Sequence, residues 1–173
     1  MTTKTFFSTL LFVSIFIFTA CNFGNSNQTD ESVVINGVRW ATSNVDTPGT
    51  FAENPESHGG FFTWEEAQDA CPQGWRLPTL DELQSLNNAG SKWTARNDVN
   101  GRLFGGGRNQ LFLPTAGWRD TRGAFNVAGT WGFYWSGVPA SATEGWHLHV
   151  SSTLSTVNNF NRAWGFSVRC VAK

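Results

Sequence analysis

The sequence predicts an α+β domain with two short helices in its N-terminal half, followed by a β-rich remainder carried on long loops. Two capping boxes, Thr63-Trp64-Glu65-Glu66 and Thr79-Leu80-Asp81-Glu82, each open a short apolar-periodic run. After Gly90 no long helical period recurs, and short apolar runs separated by Gly, Asn and Asp take over. Composition agrees: 173 residues contain 18 Gly and 9 Trp, and charged residues make up 14%, against roughly 25% in an average domain. High aromatic content and low net charge exclude a disordered chain, and the scarcity of strong helix formers excludes a helical bundle. A formal net charge of −1 offers no electrostatic footprint for nucleic acid or an anionic membrane surface.

Residues 1–20 read as a signal peptide. Lys4 is the only charge, and the apolar run from Phe6 to Ala20 is about 15 residues, short of the roughly 20 that a membrane-spanning helix needs. The run ends Phe18-Thr19-Ala20-Cys21, which resembles the bacterial lipoprotein signal, in which the cysteine is acylated and becomes the mature N-terminus. A plain secretory signal with an incidental Cys21 is the alternative. Two or more acyl chains on Cys21 make a stable anchor, where one is marginal. Residues 21–32 are rich in Asn, Ser and Thr and read as a flexible tether. A single globular domain is expected over 33–173, a length that buries an ordinary core.

Lipidation of Cys21 leaves Cys71 and Cys170. An even number of cysteines in an exported domain suggests a disulfide. Closing a loop of roughly 100 residues is worth about 4–5 kcal/mol in the chain-entropy treatment. Two free thiols in an active site are the alternative.

Within the domain, Val33-Val34-Ile35 and Val38-Arg39-Trp40 flank Asn36-Gly37, a type I′ hairpin signal. Residues 46–60 are punctuated by Pro48, Gly49, Pro55, Gly59 and Gly60 and read as a loop. The first capping box starts a helix to about Ala70, with Trp64, Ala67 and Cys71 on its inner face, stopped by Pro72 and Gly74. Leu77 precedes Pro78 and is expected to be extended. The second helix runs to about Asn88 on a Leu80, Leu83, Leu86 stripe, with Gly90 as its stop. Leu111-Phe112-Leu113 is a short apolar run, and Gly105-Gly106-Gly107 reads as a loop. Asp120 to Gly123 forms the tip of another hairpin. Strands are expected over 132–136, 146–150 and 164–171, the last with Phe166, Val168 and Cys170 on one face.

Four blocks now stand together: Ile35 to Trp40; Ala70 to Thr79 with Glu82-Leu83; Leu113 to Arg119; and Gly165 to Val171. Their order and spacing resemble the Fibrobacter succinogenes major paralogous domain, found in lipoproteins and surface proteins of the Bacteroidota and Fibrobacterota. The resemblance covers roughly 33–173. The Trp75-Arg76-Leu77-Pro78-Thr79 piece alone also resembles formylglycine-generating-enzyme-like domains. Both groups are similar to the C-type-lectin-like fold, so the resemblance implies two helices, a small twisted antiparallel sheet and long irregular loops. It also implies a setting at the outer membrane, on its periplasmic side or at the cell surface. The family's paired cysteines fall on Cys71 and Cys170, which favours the disulfide.

Among candidate functional residues, Trp40, Trp75 and Trp135 are assigned to the core. Arg76 is expected to find a carboxylate or carbonyls. Trp93, Trp118, Trp131 and Trp146 neighbour loop signals and are surface candidates. Trp118, Arg119, Trp131 and Trp146 are the proposed ligand-binding set. His147 and His149 share one strand face, but two imidazoles without a third ligand make no metal site, and a solvated face is expected. Asp98 and Asn100 are a weak calcium candidate, because their loop lacks the bidentate acid of a strong calcium site and reads as a turn. The lectin calcium motifs Glu-Pro-Asn, Gln-Pro-Asp and Trp-Asn-Asp are absent. So are Gly-x-Ser-x-Gly, His-Glu-x-x-His and the dinucleotide fingerprint.

These observations lead to a non-enzymatic, lipid-anchored binding domain without cofactor. Its partner is a glycan or an envelope protein, met on loops 91–110 and 118–146. The alternative is a structural subunit of a surface assembly or fibre tip, and the third reading an oxidase or hydrolase. Replacing Cys21 with Ser is expected to move the chain from the detergent phase to the aqueous phase in detergent partitioning of cells that express it; retention in the detergent phase would contradict acylation at Cys21.

Overall fold

The Asn36-Gly37 turn forms as its residues demand, in a computed structural model that describes Met1 and residues 32–173. The expected signal peptide, Cys21 and nearly all of the expected tether lie outside the described residues. Strands β1 (Ser32–Ile35) and β2 (Val38–Ala41) pair antiparallel across this turn, with φ of 49° at Asn36 and 82° at Gly37. A smaller hairpin follows, β3 (Val45–Thr47) with β4 (Thr50–Phe51).

Both capping boxes close. In α1 (Trp64–Ala67) the Glu66 amide donates to Thr63 Oγ1, and the Glu66 carboxylate accepts from the Thr63 amide at 2.8 Å. In α2 (Leu80–Asn88) Thr79 and Glu82 repeat the arrangement, and Leu83 and Leu86 are buried. α1 is shorter than expected, ending at Ala67. Between the helices runs β5 (Trp75–Arg76). Arg76 reaches forward and grips the capping acid Glu82 through two guanidinium nitrogens, each at 2.7 Å. The bidentate pair holds the Glu82 carboxyl below its ordinary range.

The class expected from sequence is overturned. Strand accounts for 49% and helix for 9%, in five small sheets, so the domain is mostly β and not a C-type-lectin-like α+β fold with one twisted sheet. The largest departure is at 91–110, expected as a long loop. It belongs to a three-stranded meander of β6 (Ser91–Arg96), β7 (Val99–Gly106) and β8 (Asn109–Pro114). Polar residues interrupt both of its faces, Asn100 and Arg102 beside the core residue Phe104 and Lys92 opposite Leu103, which masks the alternation, and β7 runs into the Gly105-Gly106-Gly107 stretch that reads as a loop. The 118–146 stretch is likewise structured: β9 (Trp118–Arg119) and β10 (Phe125–Asn126) form the expected hairpin, then come β11 (Trp131–Pro139) and the start of β12 (Glu144–Ser151). β13 (Ser155–Asn161) completes the sheet β11-β12-β13.

The expected final strand is mostly a series of single bridges. Gly165 bridges Arg119, Phe166 bridges Phe62 and Ser167 bridges Tyr134. Only β14 (Val171–Ala172) is regular, and it lies between β2 and β5. Both faces of the segment are buried. Phe166, Val168 and Cys170 enter one hydrophobic cluster with Trp75 and Trp135, while Val171 joins a second with Trp40, Leu83 and Leu86. Arg169, 1% exposed, donates to Asn44 Oδ1 at 2.9 Å and to the carbonyls of Ala41 and Thr42. Burial pushes its guanidinium down to about 10, so it stays charged at neutral pH.

Cys71 and Cys170 form a disulfide, with Cα atoms 6.0 Å apart and a sequence separation of 99. Replacing both cysteines with Ala is expected to lower unfolding stability by about 4–5 kcal/mol, read from urea denaturation. An unchanged midpoint would mean that the last strand is held without the staple.

Candidate functional site

Alternation along β11 and β12 builds the site. Phe133 pairs with His149, Trp135 with His147, and His147 with Asn158 of β13. These side chains share one face of the sheet, while Tyr134, Leu148 and Val150 point into the core on the other. Phe166 from the C-terminal segment lies against this first face, stacked on Trp135 at 4.2 Å and on Phe133 at 4.8 Å. Two further tryptophans wall it. Trp118 comes from the β9–β10 hairpin, and Trp164 from the turn that follows β13.

Gly117 makes the placement of Trp118 possible. Its φ is 81°, and a Cβ there would collide with the Asn126 carbonyl. Its amide donates to the Trp131 carbonyl at 2.7 Å, tying the hairpin to the start of β11. Trp118 then stacks on Trp131 with ring centres 5.6 Å apart, and Trp164 sits 5.9 Å from Trp118. Together these residues enclose an open cleft of about 370 Å³, lined by aromatic rings, His147, His149, Asn158 and Asn159.

The cleft contains no Lys, Arg, Asp or Glu on its wall. His147 is 3% exposed, and burial, aided by the neighbouring His149, pushes its imidazole down to about 3. Burial also lowers His149, which stacks on Phe133 at 4.5 Å. Both rings are therefore neutral at neutral pH. Three nitrogens of the lining side chains are buried without a hydrogen-bond partner: Trp118 Nε1, His147 Nδ1 and His149 Nε2.

Of the ligand-binding set expected from sequence, the structure brings Trp118 and Trp131 together in the cleft. Arg119 points elsewhere, donating to the Phe61 carbonyl at 3.3 Å and lying 3.5 Å from Glu66. Trp146 is on the face of β12 opposite His147, paired with Asn159, and does not line the cleft. The solvated face expected for His147 and His149 is corrected, since Phe133, Phe160 and Phe166 pack around the imidazoles. Asp98 sits with Asn97 in the two-residue turn between β6 and β7, with φ of 63° and 46°. The Asn100 amide donates to the Gly129 carbonyl at 3.0 Å. Among the described residues no three His, Cys, Asp or Glu side chains gather as a metal set. Sequence reasoning missed Phe133, Phe160, Trp164 and the asparagines as site residues. The spacing Trp131-x-Phe133 beside His147-x-His149 was the available signal, once the two strands are paired.

The four sequence blocks occupy the structural centre: β1–β2, the stretch from the disulfide to the cap of α2, the passage from β8 to β9, and the C-terminal segment. Over residues 21–172 the sequence matches the Fibrobacter succinogenes major domain. The chain belongs to this family. No curated protein and no solved structure matches the chain. In this Fibrobacter succinogenes major domain the Trp75-Arg76-Leu77-Pro78-Thr79 block is structural: Trp75 and Leu77 are buried, Arg76 holds Glu82, and Thr79 caps α2.

The lowered His147 makes stability depend on pH with a definite sign. Its folded-state value of about 3 lies below the ordinary 6.5, so the unfolded chain takes a proton that the folded one refuses. Its contribution is full above about pH 6.5 and is lost progressively as pH falls toward 3. Urea midpoints across this window are expected to fall less steeply in His147→Leu than in the wild type; parallel profiles would contradict a neutral, buried His147.

Proposed function

We propose that this domain is a non-catalytic binding module held at the cell envelope, with the aromatic cleft as its binding site and a glycan as its ligand. The observation that carries the reading is the Trp118–Trp131 stack at the cleft mouth, with Trp131 39% exposed. Flat indole faces suit the apolar faces of pyranose rings, and the Asn158 side chain in the same cleft suits hydroxyl groups. A wall of aromatic rings, neutral imidazoles and amides, with no carboxylate, supports binding over catalysis. The cysteine pair that an oxidase of the formylglycine-generating type would need as thiols is joined in the disulfide. Envelope placement rests on the Cys21 signal, with the lipid anchor as the contact to membrane; nucleic acid is not an expected partner.

A structural subunit of a surface assembly is the second reading. It is favoured by Phe125, a large apolar side chain 69% exposed on β10, close in sequence to Val127 and Trp131, which are also exposed.

The test is a glycan array probed with the purified chain, with and without calcium. Reproducible binding that weakens by about tenfold or more in Trp131→Ala is expected. Calcium dependence would bring the Asp98 turn into the site. A blank array from folded, disulfide-bonded protein would favour the assembly reading, to be followed by pull-down from envelope extracts.

A further inference from the structure

The chemistry of the cleft narrows its ligand further. Six buried side-chain nitrogen or oxygen atoms among the described residues have no hydrogen-bond partner, and three of them belong to side chains of this one cleft. Unpaired buried polar atoms cost folding free energy, so their concentration in a concave site points to groups kept for something other than the fold. The three are an indole N–H and two imidazole nitrogens. An indole N–H only donates, whereas a neutral imidazole offers one donor and one acceptor.

Three ligand chemistries fit an aromatic cleft of this size, and they differ in charge. An anionic sugar would shed water to enter a site with no cationic side chain on its wall, leaving its carboxylate without a countercharge. A quaternary ammonium would be drawn to the indole faces, but it has no acceptor for Trp118 Nε1 and nothing to offer either imidazole. An uncharged sugar unit lays its apolar face on the rings, while its hydroxyls both donate and accept. It alone matches both halves of the site.

We propose that the cleft takes an uncharged sugar unit, stacked on the Trp118–Trp131 pair and hydrogen-bonded by Asn158, with Trp118 Nε1, His147 Nδ1 and His149 Nε2, which are covered in the free chain, reached by a shift of the surrounding rings, and that it discriminates against sugars carrying a carboxylate. This rests on the glycan reading of the same cleft and adds the charge of the ligand and the groups that read it.

The test is isothermal titration of the purified full chain against cellohexaose, xylohexaose, mannohexaose, methyl-esterified hexagalacturonate, free hexagalacturonate, sialyllactose and tetramethylammonium chloride. Saturable binding of at least one neutral saccharide is expected, with free hexagalacturonate and sialyllactose at least tenfold weaker. Trp118→β-(benzothiophen-3-yl)alanine keeps both rings and replaces the N–H with sulfur. It is expected to weaken the neutral saccharide by about tenfold without lowering the thermal midpoint, because it deletes an unpaired buried donor and leaves the ring packing in place; Trp118→Phe would also remove a ring from the cluster of Trp131, Phe133 and Trp164 and lower the midpoint by itself. Carboxylate-bearing probes that bind as tightly as neutral ones, and lose binding in Trp131→Ala, would overturn the charge rule and leave the glycan reading standing. Neutral binding untouched by the benzothiophene replacement at Trp118 would overturn the role of the indole N–H. Failure of a folded, disulfide-bonded chain to bind any saccharide, or binding of tetramethylammonium alone, would overturn both readings.

Discussion

The passage of the C-terminal segment through the middle of the molecule is the constraint on which the other elements depend. Residues 165–172 bridge or pair with residues from five separate stretches of chain: Arg119, Phe62, Tyr134, Trp40 and the Trp75-Arg76 strand. Small two- and three-stranded sheets are marginal by themselves. Here the β9–β10 hairpin and the β11-β12-β13 sheet are joined to the sheet of β1, β2 and β5 because one extended segment touches them in turn. Arg169 makes the passage specific. A buried guanidinium is costly unless its donors are met, and Asn44 with the Ala41 and Thr42 carbonyls meets Nε and Nη1 at one register, leaving Nη2 without a partner. A slip by one residue would exchange Arg169 for an apolar neighbour and leave a charge unpaired. The Cys71–Cys170 bond then ties the segment to the turn after α1.

The same segment connects the fold to the cleft. Phe166 packs beneath Phe133 and Trp135, so the apolar wall of the site is part of the second core cluster. The β11–β12 pair is covered on both faces, by the first cluster on one side and by this aromatic layer on the other. The floor of the cleft is therefore built on packed strands, which holds Phe133, His147 and His149 in place. Its unpaired nitrogens are the corresponding cost to the fold, offset by the burial of so many rings.

Membership of the Fibrobacter succinogenes major domain family does not bring the expected lectin-like architecture with it. The motif blocks are structural: they mark the first hairpin, the disulfide, the cap of α2 and the C-terminal passage. The side chains that form the cleft come mostly from stretches between those blocks, such as Trp131, His147, His149 and Trp164. A scaffold defined by shared blocks, with its concave surface drawn from the intervening sequence, can present different walls without changing its core.

What the sequence determined by itself was local. Asn36-Gly37 turns because both residues tolerate positive φ, and Thr63 and Thr79 cap because a glutamate stands three positions on. Trp40, Trp75 and Trp135 are buried because a β-rich domain has nowhere better to put them. Each of these outcomes depends on a few neighbouring residues or on size and polarity alone. Tertiary structure decided the rest. The 91–114 meander is held by cross-strand pairs that its Gly- and Arg-containing strands do not announce. His147 is buried because Phe166 and Phe160, distant in sequence or on another strand, close over it, and His149 is half-buried against Phe133 and Trp131 of the neighbouring strand. The cleft exists because Gly117 lets one hairpin approach the start of β11. Pairing between distant strands depends on which surfaces meet, and no window of adjacent residues contains that information.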